Sequence, residues 1–101
     1  MKIKERQTQK IYPGKWEDLE AIDKKYNQLE SGVGFPPKKR YRLALSSESI
    51  NILVVEREWE SFAAMEAAYE KLMVMPEWHA LDAEGNSIIK DGYTEILLPM
   101  P

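Results

Sequence analysis

The residues best suited to holding a ligand sit on one extended stretch near the start of the chain. Between Ile3 and Ile11, Glu5, Gln7 and Gln9 share one parity, while Lys4, Arg6, Thr8 and Lys10 share the other. In a strand each parity points to one side, and polar groups buried there need hydrogen-bonding partners. Two readings stand side by side: one set lines a pocket and bonds a ligand or water, or the strand belongs to a polar dimer interface with internal ion pairs. His79 is the one histidine, the residue type whose unperturbed pKa lies near neutrality, so it is the natural acid–base or axial haem-ligand candidate. Its place beside Trp78, just after Pro76, equally suits a packing or capping residue. Trp16, Tyr26, Phe62 and Tyr69 recur at helical spacing and read first as core. With the flexible Met65, Met73 and Met75 they also suit the wall of an apolar pocket for a flat ligand, with tyrosine hydroxyls as polar anchors. The candidate ligand-binding set is therefore Gln7, Gln9, Trp16, Tyr26, Phe62, Met65, Tyr69 and His79.

Other chemistries fall away on composition. Without cysteine there are no disulfides, thiolate nucleophiles or cysteine-held metals, and one histidine cannot build a paired-histidine site. Glu56, Glu58 and Glu60 alternate along a strand and Glu66 and Glu70 lie one helical turn apart, the pattern of solvated faces, so no metal and no cofactor are expected. Gly32-Val33-Gly34 follows a helix and lacks the Lys-Ser/Thr of a phosphate loop. Lys38, Lys39, Arg40 and Arg42 form the one basic cluster, beside Phe35 and Tyr41, and read as a solvated edge strand guarded by lysines. Seventeen acidic against fourteen basic residues leave a net charge of -3, which argues against a nucleic-acid partner. No apolar run reaches the roughly 18 residues of a membrane helix, and Lys2, Lys4 and Arg6 lead into no apolar signal segment, so a cytoplasmic protein is expected. At 101 residues and 44% hydrophobic content, residues 1–101 make one domain.

These candidates must be positioned by the surrounding elements. A strand is predicted over 2–12, punctuated by Pro13-Gly14. Trp16, Leu19, Ile22, Tyr26 and Leu29 then give an amphipathic helix, with Glu17 and Asp18 in its first turn and a stop at Ser31-Gly32. Strands follow over 39–46 and 50–59, separated by a polar turn over 46–49. Ser61 suits the cap of a helix whose buried stripe is Phe62, Met65, Tyr69, Leu72 and Met73, and Pro76 starts a short helix ending near Gly85. A last strand covers 87–98. This order predicts an α+β fold, a ferredoxin-like βαββαβ sandwich with a four-stranded antiparallel sheet and its helices on one face. The third and fourth strands carry apolar residues in both parities, so the other face should be covered too, most simply by a second copy of the sheet. A homodimer through sheet faces is the expected partner arrangement.

Three stretches, Tyr12-Pro13-Gly14-Lys15-Trp16, EREWESFAAM from Glu56 to Met65, and Met75-Pro76-Glu77-Trp78-His79, join the Leu97-Leu98-Pro99 ending. Together they resemble the NIPSNAP-like branch of the dimeric α+β barrel superfamily over nearly the whole chain. The resemblance implies two ferredoxin-like protomers joined through their sheets into a barrel, with a pocket between each sheet and its own helices. It implies relatives as different as cofactor-free monooxygenases of polycyclic phenols, haem-degrading enzymes and isomerases, so fold leaves function open. Three readings follow: binding of an apolar or aromatic small molecule between sheet and helices, a cofactor-independent monooxygenase or isomerase, and a ligand-free interaction or dimerisation module. Haem binding is a fourth, and it requires His79 to face the pocket.

Overall fold

Strand alternation and helical period resolve into seven elements in the computed structural model, which describes residues 1–47 and 49–101. They are β1 (Ile3–Ile11), α1 (Trp16–Gly32), β2 (Lys38–Arg42), β3 (Ile52–Trp59), α2 (Phe62–Met73), α3 (Pro76–Gly85) and β4 (Ile89–Leu97). The strands form one sheet in the order β2-β3-β1-β4, every neighbouring pair antiparallel, so the polar β1 is central. This is the ferredoxin-like α+β arrangement. Among the described residues no helix is long and apolar enough to cross a membrane.

Local chemistry sets the boundaries. Gly14, at a φ of 79°, takes the left-handed turn between β1 and α1 that a side chain would resist. Ser61 caps α2 by accepting the Ala64 N–H at 3.1 Å, and Pro76 opens α3 where a missing N–H costs nothing.

The register puts Ile3, Glu5, Gln7 and Gln9 of β1 opposite Trp59, Arg57, Val55 and Leu53 of β3, all on the face covered by helices. Two apolar cores hold the layers together. Ile11, Leu19, Ile22, Leu53, Val55, Leu81 and Ile88 make one, and Ile3, Phe35, Trp59, Ala68 and Leu72 make the other, with Leu29 packed against both.

Several expectations are corrected. Phe62 and Met73 are exposed, because they stand at the two ends of α2 while its buried line runs through Ala68 and Leu72. β2 stops at Arg42, and the chain beyond is a loop in which Leu45 is exposed. The turn expected over 46–49 contains Glu48, which lies outside the described residues. β2 is an edge strand, yet Lys38 is not a solvated guard: its side chain is only 10% exposed and is drawn beneath α1 by Asp23 and Glu30.

Candidate functional site

The alternation of β1 sends Glu5, Gln7 and Gln9 toward the helices, and their surroundings differ along the strand. Glu5 is buried at 3% exposure in the second core, where its carboxylate accepts two hydrogen bonds. Trp59 Nε1 donates to Oε1 at 3.1 Å and the Tyr69 hydroxyl donates to Oε2 at 2.5 Å. Gln7 Nε2 in turn donates to the Tyr69 hydroxyl oxygen at 3.4 Å. The result is a directed chain from Gln7 through Tyr69 to Glu5, supported by Phe35, which meets the Trp59 and Tyr69 rings edge to face at 5.0 and 4.9 Å.

Beyond Gln7 the two cores part and leave a cavity of about 190 Å³, walled by all three helices and by β1 to β4. Gln7, Gln9, Tyr69 and Tyr26 line it together with Trp78, Asp82, Leu53, Val55 and Ile89. It adjoins an outer hollow of about 350 Å³ that shares Gln7, Gln9, Tyr26, Asp82 and Ile89 and reaches β4 at Gly92 and Thr94. The shared walls make the hollow the mouth of the cavity. One glycine at the mouth is required by packing. A Cβ at Gly92 would meet the Thr8 carbonyl oxygen at 2.9 Å and Gln9 Cγ at 3.3 Å, so only glycine fits across from Gln9. A Cβ at Gly85 would touch the Tyr26 hydroxyl at 3.5 Å.

The far wall is ionic and internally paired. Arg57, 4% exposed, reaches Glu30 at 2.5 Å, gives Nε–H to the Pro36 carbonyl at 3.3 Å and lies over the Phe35 ring. Lys38 holds Asp23 at 2.6 Å and Glu30 at 3.5 Å. Two cations thus answer two carboxylates, as buried charge requires. The near wall is different. Gln9, Tyr26 and Asp82 line the cavity and make no side-chain hydrogen bond or ion pair with any described residue. Burial, with Asp82, Glu30 and Glu84 adding negative charge, pushes the Tyr26 hydroxyl up to about 12. Tyr69 is pushed up as well, by burial and then by its bond to Glu5. Both are neutral phenols near pH 7.

Of the candidates drawn from sequence, Gln7, Gln9, Tyr26 and Tyr69 come together on the cavity. The other four stand outside its lining. Trp16 packs beside the first core, donates to Asn51 Oδ1 at 3.0 Å and carries the Arg42 guanidinium 4.0 Å above its ring. Met65 packs against the second core, and Phe62 is exposed beyond it. His79 is exposed, with Nε2 2.6 Å from the Met73 carbonyl oxygen, so the geometry that haem ligation required is not the one adopted. Its neighbour Trp78 faces the cavity instead, since successive residues of α3 point about 100° apart. Asp82, one helical turn beyond Trp78, was carried by no expectation, and neither were Asp23, Glu30, Lys38 and Arg57 as lining residues. Arg57 had a signal: it shares the inward parity of Val55 and Trp59. Among the described residues no three His, Cys, Asp or Glu side chains gather to hold a metal ion.

The chain matches no family model and no curated protein. Among solved structures it is similar to an uncharacterized NIPSNAP-like domain protein from Burkholderia xenovorans, with 17% identity over 98% of this chain and 85% of that one and a TM-score of 0.83. A NIPSNAP family protein from Agrobacterium tumefaciens matches at 17% identity over 99% of this chain and 94% of that one, with a TM-score of 0.83. SnoaB, a cofactor-independent oxygenase from Streptomyces nogalater, matches at 9% identity over 99% and 94% of the two chains, with a TM-score of 0.70. The likeness is one of fold: the chain has the fold of NIPSNAP family proteins, as its sequence motifs imply.

Proposed function

We propose that this protein, built on the fold of NIPSNAP family proteins, binds a small organic molecule about one aromatic ring in size in the cavity between sheet and helices. The observation that carries this reading is the near wall: Gln9, Tyr26 and Asp82 are polar, lack partners among the described residues and line one space with Trp78 and Tyr69. A pocket with a few unsatisfied, convergent polar groups among apolar ones is the usual form of a small-molecule site. Asp82 is exposed and Gln9 and Tyr26 are half-buried, so water reaches these groups in the empty protein and a ligand would take the place of that water. The test is a titration of isotopically labelled protein with neutral, cationic and anionic one-ring compounds, followed through the side-chain amides of Gln7 and Gln9 and the Trp78 indole. Shifts confined to these residues are expected; a panel that moves none of them contradicts the reading.

The proposed unit is a homodimer joined through the sheet face away from the helices. On that face Tyr41, Leu43, Ile52, Val54 and Tyr93 form a shallow apolar hollow beside Arg6, Glu56 and Glu95. Tyr41 and Tyr93 are 49% and 59% exposed, which is costly for a face left in water. Sedimentation at micromolar concentration should give a dimer for the wild type and a monomer for Val54→Asp. A monomeric wild type contradicts the pairing and leaves the cavity untouched.

A second reading, cofactor-independent oxygenation or isomerisation of the same ligand, is favoured by the fold shared with SnoaB. Turnover of a bound compound under oxygen would establish it, and unchanged compound after prolonged incubation would exclude it for that compound.

A further inference from the structure

The hydrogen-bond directions of the cavity have a fixed sense, set from its buried end. Trp59 Nε1–H can only donate, so Glu5 Oε1 accepts, and the Glu5 carboxylate accepts again from the Tyr69 hydroxyl. With its proton committed to Glu5, the Tyr69 oxygen accepts, and the group that reaches it is the Gln7 amide nitrogen. Gln7 is thereby turned so that its nitrogen faces Tyr69, which leaves its carbonyl oxygen as the end available to the cavity.

The second acceptor is Asp82, unpaired among the described residues and common to the cavity and its mouth. The charges around it do not cancel its effect. Lys38 and Arg57 are the only cations of the inner lining, and both are held by Asp23 and Glu30 on the opposite wall. At the mouth Lys90 is offset by Asp91 beside it. Tyr26, Tyr69 and Trp78 also line the cavity, and aromatic rings attract cations placed over their faces.

Resting on the small-molecule reading above, we infer that the cavity selects a donor-rich ligand, a small primary amine in its ammonium form, with the nitrogen between Asp82 and the Gln7 carbonyl oxygen and an apolar or aromatic body against Trp78 and Leu53. An ammonium group brings three donors and no acceptor, the complement of this wall. A carboxylate of the same shape would meet Asp82 as a like charge and the Gln7 oxygen as a second acceptor.

Benzylamine, benzyl alcohol and benzoate share one ring and differ in the group presented, so they separate the possibilities when titrated into the wild type and Asp82→Asn. Asp82 is solvent-exposed on α3 and has no partner among the described residues, so this variant keeps the fold. Benzylamine should bind at least about tenfold more tightly than either partner compound, moving Gln7, Gln9 and Trp78, and Asp82→Asn should remove most of that margin by weakening benzylamine far more than benzyl alcohol. Equal or tighter binding of benzyl alcohol or benzoate at the same residues overturns the amine preference and preserves the site. An amine preference that survives in Asp82→Asn overturns the role given to Asp82. If no compound moves these residues, the small-molecule reading fails and the preference with it.

Discussion

Glu5 and Gln9 lie on the same side of the same strand, two alternating positions apart in sense but opposite in circumstance. Glu5 is 3% exposed and accepts two hydrogen bonds amid Trp59, Tyr69 and Phe35. Gln9 faces an open cavity with no partner among the described residues. Both began as the same anomaly, a polar residue in a central strand, and the difference teaches where each belongs. At the Glu5 end the polar group is an element of the core, because its desolvation is compensated by donors. At the Gln9 end the compensation must come from water or a ligand, and that is what marks a site.

If this contrast holds, substitutions at the closed end should cost stability and those at the open end should cost binding. Trp59→Ala has the largest expected effect. It removes a ring that is 3% exposed and packed on Phe35 and Tyr69, and it should lower unfolding free energy by about 3–5 kcal/mol in urea titrations. A loss below about 1 kcal/mol would mean that this end is not close-packed.

Tyr69→Phe keeps the ring but takes the donor from Glu5 and the acceptor from Gln7. The expected cost is about 1–3 kcal/mol, from a buried carboxylate left with one protein donor. Stability equal to wild type would show that the chain from Gln7 to Glu5 contributes nothing.

Alkaline pH probes both ends. The Tyr26 hydroxyl is raised from an ordinary 10.0 to about 12, and Tyr69 is raised in the same direction. Between these values the unfolded chain loses the phenolic proton while the folded chain keeps it, so stability present below pH 10.0 should decline as pH rises toward about 12. Tyr26→Phe should flatten part of that decline in denaturation midpoints measured across the range. An unchanged slope would mean that Tyr26 titrates alike in both states.

Gln9→Leu is the mildest substitution for the fold. No described residue bonds the amide, so stability should move by less than about 1 kcal/mol in either direction while ligand binding falls. A loss comparable to that of Tyr69→Phe would erase the distinction between the two ends.

The fold was legible because it rests on period and punctuation. Alternation through β1 and β3, the three- and four-residue steps of α1, the Ser61 cap and Pro76 all act locally, and the antiparallel order follows from them. Half of the residues proposed from sequence reach the cavity for the same reason: Gln7 and Gln9 from strand parity, Tyr26 and Tyr69 from helical spacing. What escaped depends on how elements meet. Lys38 reads as a solvated edge residue until α1 crosses above it and brings Asp23 and Glu30 to its side. Asp82 becomes a lining residue only through the rotation of α3, which turns Trp78 inward and His79 outward, and a helix this short and weakly amphipathic does not announce that rotation in sequence. Phe62 has the right spacing for α2's buried stripe but stands at the helix end, past the packed line.

The claim on which the rest depends is that the open end of β1 is a binding site. Native mass spectrometry of gently purified wild type and Gln9→Leu, each compared with its denatured spectrum, tests it most directly. The account predicts an organic mass on the folded wild type that the variant has lost at unchanged stability. A wild type free of any such mass, or a variant that retains it undiminished, would contradict it.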